Sequence, residues 1–177
     1  MAARRRECRG RVCGIGPVIF VTVGTQLPFP RLIDAMDDLV PVLDEEVVAQ
    51  VGPGCRKWQH IKVYEGLCPD AFENLFKQAR VVVAHAGIGS ILSAQRLKKP
   101  LIIFPRRHSL GEHRNDHQLA TARQIEQLPG VYVAWSSDDL LSLLSKPSLA
   151  PATEATSDSR KALVACLKQF ISRSSSP

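Results

Sequence analysis

Five short, nearly unbroken apolar runs alternate with helical patterns along this chain of 177 residues. The runs occupy 18–23, 47–51, 81–84, 101–104 and 131–134, and the helical patterns lie near 30–40, 70–79, 89–98 and 115–127. Strands without polar alternation suit a sheet that is covered on both faces, as parallel sheets are. The alternation therefore predicts an α/β fold built on a doubly wound parallel sheet. A short strand near 61–64 and a helix from an N-cap at Ser136 to about Leu144 complete the pattern.

The length fits one domain whose two ends differ from it in composition. Five arginines among the first eleven residues supply much of the formal net charge of +6. We expect 1–16 to be a basic, disordered extension, although a contact with nucleic acid or an anionic membrane stays open. We expect 17–145 to form the folded domain and 146–157, rich in Pro, Ser and Thr, to be a linker. A helical pattern over 158–173 predicts a terminal helix that packs on the domain or docks to a partner.

The sequence favours a cytoplasmic protein that does not insert into a membrane. Its apolar runs are the length of strands, far shorter than a bilayer requires. The basic start has no apolar segment after it, so a secretory signal is not indicated. The five cysteines include no Cys-x-x-Cys pair, which argues against a disulfide framework and a zinc ribbon. We expect them to be reduced thiols.

The segment 85–90 follows a buried strand and opens a helical pattern. Gly87 and Gly89 would let a ligand approach the backbone, and the free amides of a helix start bind anions, with Ser90 adding a hydroxyl. We therefore predict a phosphate site here. His85 could donate to a pyrophosphate oxygen or cap the helix, or it could be a buried histidine with its hydrogen bonds satisfied. Dinucleotide and P-loop glycine motifs are absent, which disfavours nicotinamide cofactors and ATP.

Two further loops follow predicted strands at the same edge of the sheet. After the first strand, Gly24 permits a sharp turn and Thr25 offers an amide and a hydroxyl to an anion, although this turn could serve packing alone. After the fourth run, the segment 111–118 is crowded with carboxylate and amide side chains that could grip the hydroxyls of a sugar or ribose. These side chains are Glu112, Asn115, Asp116 and Gln118. Together the three loops predict a nucleotide-sugar site.

Other chemistry in the third loop is less well supported. His113 and His117 lie four residues apart and could share a helix face, as zinc ligands do. No third ligand is evident, and the segment lacks the glutamate of a zinc peptidase, so we assign no metal and no cofactor. Arg106 and Arg107 could pair with a phosphate or with Glu112, or could remain a solvated pair.

Four segments of the chain resemble the C-terminal, donor-binding domain of glycosyltransferase family 28 in its free-standing form. The segments are 21–25, 85–92, 99–103 and 115–120, and the resemblance covers roughly 18–135. Free-standing relatives are subunits of split enzymes: the PssE-like subunits of bacterial exopolysaccharide transferases and the soluble subunit of the eukaryotic dolichol-pathway UDP-GlcNAc transferase.

The resemblance implies a Rossmann-like half of a GT-B glycosyltransferase. Such a subunit holds a UDP-sugar, and a membrane-associated partner at the cytoplasmic face supplies the lipid-linked acceptor and the general base. The chain would transfer a hexose-type sugar in polysaccharide or glycan biosynthesis, and only with its partner, so we name no catalytic residue. Two alternatives stay open: a non-catalytic nucleotide-binding regulatory or scaffold protein, and an RNA-binding domain that would depend on the arginine-rich arm.

The resemblance also implies roles for individual residues. The donor phosphates would face Gly24, Thr25, His85, Gly87, Gly89 and Ser90. The donor sugar would contact Asn115, Asp116 and Gln118, and the uracil would lie near 65–67. The chain departs from the family pattern at Ser93, with Gln95 nearby, where many relatives carry a glutamate that grips the ribose.

Overall fold

The computed structural model describes residues 18–54 and 57–153. The basic extension predicted for 1–16 and the terminal helix predicted for 158–173 lie outside the described residues. So do residues 154–157 of the predicted linker. The domain boundaries proposed from the sequence stay predictions.

In the described residues, six strands form one parallel sheet in the order β3-β2-β1-β4-β5-β6. The strands are β1 Val18–Thr22, β2 Glu46–Gln50, β3 Lys62–Tyr64, β4 Ala79–Ala84, β5 Leu101–Ile103 and β6 Val131–Val133. The helices are α1 Pro30–Leu39, α2 Pro69–Gln78, α3 Ile88–Leu97, α4 His117–Ile125 and α5 Ser137–Leu144. Short 3₁₀ turns cover Val40–Val42 and His108–Leu110. The doubly wound α/β fold predicted from the apolar runs is confirmed.

The sheet is covered by helices on both faces, which explains why its strands lack polar alternation. On one face, Ile19 and Val21 of β1 pack with buried residues of α1 and α5. On the other face, Phe20 of β1 packs with buried residues of α2, α3 and α4. Successive strand residues point to opposite faces, so both sets have to be apolar. The strand order reverses between β1 and β4, and ligands of such sheets bind beyond the carboxyl ends of the strands at this point.

A capping box starts α5 at Ser136, the residue that the sequence predicted as its N-cap. The Ser136 hydroxyl accepts a hydrogen bond from the Asp139 amide at 3.1 Å. The Asp139 carboxylate accepts in return from the Ser136 amide at 3.0 Å. Both bonds satisfy amides that have no partner within the helix.

Arg106, directly after β5 and Pro105, joins two loops at the carboxyl edge of the sheet. Its side chain is buried, with 2% of the residue exposed. The guanidinium donates to the carbonyls of Val23 at 3.1 Å, Leu27 at 2.7 Å and Pro28 at 2.6 Å, all in the loop after β1. Of the alternatives left open for Arg106, the solvated pair is therefore wrong. Its partners are carbonyls from a distant loop, and a local sequence pattern does not reveal them.

The segment after α5 returns to the sheet between β5 and β6. The Ala152 amide donates to the Lys99 carbonyl at 3.1 Å, next to the turn that precedes β6. In that turn Gly130 has a φ of +74°, and a Cβ on it would lie 2.2 Å from the carbonyl carbon and oxygen of Pro151. Close backbone packing at this point requires glycine.

Gly130→Ala is therefore expected to destabilise the fold strongly. The matched control is Gly52→Ala, because Gly52 has a φ of +80° but nothing within 4 Å of an added Cβ. In the control, only the strain of the left-handed backbone should lower the free energy of unfolding, by about 1–2 kcal/mol. In Gly130→Ala, overpacking should lower the free energy of unfolding by about 1–3 kcal/mol more. Urea unfolding measures both, and equal costs would contradict the close contact with Pro151.

Candidate functional site

A cavity of about 640 Å³ opens at the carboxyl ends of β1 and β4. The loop after β1, the loop that leads from β4 into α3 and the loop after β5 all contribute to it. The predicted site residues that line it are Gly24, Thr25, His85, Gly87, Gly89, Ser90 and Gln118. The structure thus brings the three predicted loops to one cavity. Glu112, Asn115 and Asp116 are not among the lining residues.

The start of α3 forms one wall of this cavity. Gly87 is the N-cap, and its carbonyl accepts from the amides of Ser90 at 3.2 Å and Ile91 at 3.4 Å. The amides of Ile88 and Gly89 precede these first bonds of the helix. A Cβ on Gly89 would meet nothing within 4 Å, so the backbone at this position is open. Amides and helix dipole together make this wall suitable for an anion.

Gly24 and Gly87 enclose the imidazole of His85. A Cβ on Gly87 would lie 2.4 Å from Nε2 of His85, and one on Gly24 would lie 2.7 Å from its Cε1. Neither position tolerates a side chain while the ring stays in place. The sequence predicted that Gly87 makes room for a ligand, whereas its free space is filled by His85. Of the two glycines before Ser90, only Gly89 leaves open space.

His85 is neutral at physiological pH. Burial lowers the pKa of His85 to about 4. The charge of Arg106 and, more weakly, that of His113 act in the same direction, while the backbone of Thr22 acts against them. The buried Nδ1 makes no hydrogen bond of normal geometry, so the alternative of a fully satisfied core histidine is not supported. A neutral imidazole has one donor nitrogen and one acceptor nitrogen, so His85 keeps the capacity to form hydrogen bonds.

Two buried polar residues at the cavity floor were missed from the sequence. The Thr22 hydroxyl donates to Oε1 of Gln50 at 3.2 Å and accepts from the Gly24 amide at 3.3 Å. Each is the last residue of its strand, and the buried residues before it in the strand are apolar. Their position as the last residue of β1 and of β2 was the signal, because ligands bind beyond these strand ends.

Glu112 holds the loop after β5 in place and does not face the cavity. Its carboxylate accepts from Arg31 at 2.6 Å and 2.9 Å and from the Arg107 amide at 2.8 Å. Partial burial alone would raise the pKa of Glu112, but the hydrogen bonds from Arg31 and Arg107 outweigh it and keep the pKa below its usual range. The Arg31 guanidinium also lies 4.4 Å from the ring centre of Phe104. This cluster fixes the base of the loop on the body of the domain.

The other polar residues of this loop either hold its backbone in place or line the cavity. Asp116 accepts from the His108 amide at 3.1 Å, and Asn115 accepts from the His117 amide at 3.3 Å. His113 and Gln118 line the cavity. Within 18–54 and 57–153, no group of three or more His, Cys, Asp or Glu side chains could hold a metal ion.

Gln118 has a fixed orientation. Its Oε1 accepts a hydrogen bond from the Arg106 amide at 3.1 Å. This bond orients the side-chain amide, and the two hydrogens of Nε2 are available to donate to a ligand. Gln118 presents the cavity with a hydrogen-bond donor.

The wall opposite this loop is formed by α2 and α3 with the segment before α2. Its lining residues are Leu67, Pro69, Phe72, Glu73, Ser93, Arg96 and Leu97. Leu67 belongs to the segment 65–67 that was expected near a uracil, while Glu65 and Gly66 are not among the lining residues. This wall is largely apolar, with one ion pair between Glu73 and Arg96 at 3.0 Å.

Solved structures with a similar fold include glycosyltransferases. The structure of the glycotransferase of kitacinnamycin matches with a TM-score of 0.59 and 22% identity, over 98% of this chain and 47% of that one. The calicheamicin glycosyltransferase CalG4 matches with a TM-score of 0.55 and 16% identity, over 89% and 40%. The chain thus spans less than half the length of each. The NMR structure of ALG13 matches with a TM-score of 0.55 and 22% identity, over 83% of this chain and 94% of ALG13.

A curated relative is the UDP-N-acetylglucosamine transferase subunit ALG13 of Eremothecium gossypii. It is 29% identical over 188 aligned positions, which cover 79% of this chain and 88% of the relative. In the part of the chain that the structure describes, no helix is long and apolar enough to cross a membrane. Residues 18–169 match the model of the glycosyltransferase family 28 C-terminal domain. The resemblance drawn from the glycine loops is confirmed, and the chain belongs to this glycosyltransferase family.

Proposed function

We propose that this chain is the donor-binding subunit of a split glycosyltransferase that transfers a hexose-type sugar from a UDP-sugar to a lipid-linked acceptor. The observation that carries the proposal is the cavity where the three loops meet around the start of α3. It combines an anion-binding wall, a largely apolar wall and a polar loop. A nucleotide sugar has the matching parts: a diphosphate between a nucleoside and a hydroxylated ring.

The diphosphate binds at the start of α3 in this proposal. The amides of Ile88 and Gly89 and the hydroxyl of Ser90 face it from the helix, and Gly24 and Thr25 approach it from the loop after β1. The helix dipole stabilises the negative charge that develops on UDP as the sugar departs. Arg106 adds a positive charge nearby: burial lowers its pKa only to about 10, so it stays protonated at neutral pH.

The donor sugar lies toward the loop after β5. Gln118 donates from Nε2 to a sugar hydroxyl, and His113 faces the same region. Asn115 and Asp116 support the loop through their hydrogen bonds to backbone amides. A direct contact of Asn115 or Asp116 with the sugar stays a prediction from the resemblance, and a direct contact of Glu112 stays a prediction from the polar loop sequence.

A partner chain supplies the acceptor-binding half. The support for this is that the relative from Eremothecium gossypii is named as a subunit of a transferase. We propose that the partner is membrane-associated and brings this chain to the cytoplasmic face of the membrane. The partner also contributes the general base that the acceptor hydroxyl needs. We assign no metal or other cofactor to this chain.

Calorimetric titration of the purified chain with UDP and a panel of UDP-sugars tests the donor site. Gly89→Asp places a carboxylate in the open space at the start of α3, where it repels the diphosphate. We expect the affinity for UDP to fall about a hundredfold or more. Gly89→Asn has the same shape without the charge and should retain most of the binding. Equal losses in both variants would contradict an anion site at this position.

A double-mutant cycle tests the enclosure of His85. In Gly87→Ala the new Cβ displaces the imidazole. We therefore expect the affinity for UDP to fall about tenfold, which corresponds to the loss of one hydrogen bond from His85 to the ligand. In a His85→Ala background the same change should have little effect, because no ring remains to be displaced. Additive losses in the double variant would show that Gly87 acts independently of His85.

Partner dependence is tested by an assay of UDP release and sugar transfer with the chain alone. We expect saturable binding of a UDP-sugar but little transfer to a lipid acceptor, because in this proposal the partner supplies the acceptor-binding half. Adding the solubilised partner should restore transfer, and Gly89→Asp should abolish it. Sustained turnover by the purified chain alone would contradict a split enzyme.

A further inference from the structure

The apolar wall of the cavity is formed by two facing helix stripes. Pro69, Phe72 and Glu73 lie three and four positions apart on one face of α2, and Ser93, Arg96 and Leu97 do so on α3. Both stripes line the cavity and meet at the ion pair between Glu73 and Arg96. The wall therefore offers apolar contacts with one ion pair, between Glu73 and Arg96, among them.

Glu73 is the only carboxylate among the described residues that line this cavity. Its Oε1 accepts from the Lys77 ammonium at 2.7 Å, and its Oε2 accepts from Arg96 at 3.0 Å. A carboxylate has about four acceptor positions, so each oxygen can accept a further hydrogen bond from a ligand. The hydrogen bonds from Arg96 and then Lys77 lower the pKa of Glu73 to about 2. The group is ionised at any working pH and accepts hydrogen bonds without donating any.

The position of Glu73 matches the nucleoside end of a bound nucleotide. Arg96, its partner, is seven residues beyond Gly89 on α3, which is about 10 Å along the helix axis. A nucleoside diphosphate can span this separation when its phosphates lie at the helix start. Phe72 and Leu97 beside Glu73 suit a base or the carbon face of a ribose, and the small Ser93 on the facing helix leaves room for a ring.

The sugar end lies on the other side of β4. α2 packs on β1 and β4, whereas Gln118 follows β5, the neighbour of β4 on its far side. A ligand whose diphosphate lies at the α3 start therefore directs one ring toward Glu73 and the other toward Gln118. The apolar side chains of Leu67, Phe72 and Leu97 on the wall that carries Glu73 favour the nucleoside there.

We propose that Glu73 is a specificity-determining residue that accepts hydrogen bonds from the ribose hydroxyls and selects ribonucleotides over 2′-deoxyribonucleotides. The inference rests on the proposed function, because it requires a nucleotide in this cavity. The ion pairs of Glu73 with Arg96 and Lys77 fit this role, because the two cations offset the charge of Glu73 and reduce its repulsion of the phosphates.

The test compares the affinities for UDP and 2′-deoxyuridine diphosphate in three proteins by calorimetry. The wild-type chain should bind UDP about tenfold or more tightly than the deoxynucleotide, as expected for a hydrogen bond to a charged group. In Glu73→Ala the ratio of the two affinities should fall to near one. Asp70→Ala is the matched control, because it removes a carboxylate from the same helix at a position outside the cavity lining, and it should keep the wild-type ratio. Circular dichroism checks that the variants are folded.

The ratio also separates this inference from the proposed function. UDP binding with a wild-type ratio near one, or a ratio unchanged in Glu73→Ala, would overturn the role of Glu73 and leave the donor site intact. A loss confined to UDP-sugars, with UDP unaffected, would place Glu73 at the sugar end and overturn the inference as well. Absence of saturable UDP binding by the wild-type chain would overturn the proposed function and this inference together.

Discussion

The buried guanidinium of Arg106 is the interaction on which the shape of the site depends. A buried charge is costly unless hydrogen bonds replace its water, and here three carbonyls of the loop after β1 do so. The guanidinium also lies 4.4 Å from the ring centre of Phe29. The same residue fixes the loop after β5 through its backbone amide, which holds Gln118. Two of the three loops around the cavity are thus joined at one residue, through its side chain and its backbone amide.

The polar residues around the cavity fall into two groups: one determines the shape of a loop, and the other lines the cavity. Glu112, Asn115 and Asp116 satisfy backbone amides or Arg31 and so determine the shape of the third loop. Thr22, His85 and Gln118 line the cavity. In His85 a buried nitrogen is left without a normal hydrogen bond, and burial keeps the ring neutral. The site therefore presents directed hydrogen-bonding groups and a helix dipole, with Arg106 as the nearby positive charge.

The fold and the helix start at the cavity were predictable because their signals are local. Unbroken apolar runs identified the strands, and glycines beside a helix start identified the wall at Gly87–Ser90. The remaining features depend on contacts between distant parts of the chain. Glu112 is paired with Arg31, 81 positions away in the sequence. Because the local sequence does not show this partner, the polar loop suggested that Glu112 contacts a ligand. The local sequence around Arg106 is compatible with an exposed residue, and only its distant carbonyl partners explain its burial. The face of α2 that carries Glu73 lines the cavity because α2 packs beside α3. Even the helix start at His117 differs from the predicted 115, because Asn115 and Asp116 are used in the turn that precedes α4.

The central claim is that one nucleotide bridges the three loops at the carboxyl edge of the sheet. A titration of the ¹⁵N-labelled chain with UDP, followed by two-dimensional NMR, tests it most directly. The account predicts the largest shift changes at the amides of Gly24 and Thr25, at those of Ile88 to Ser90 and at the side-chain amide of Gln118. Shifts confined to other surfaces, or an unchanged spectrum at saturating UDP, would contradict it.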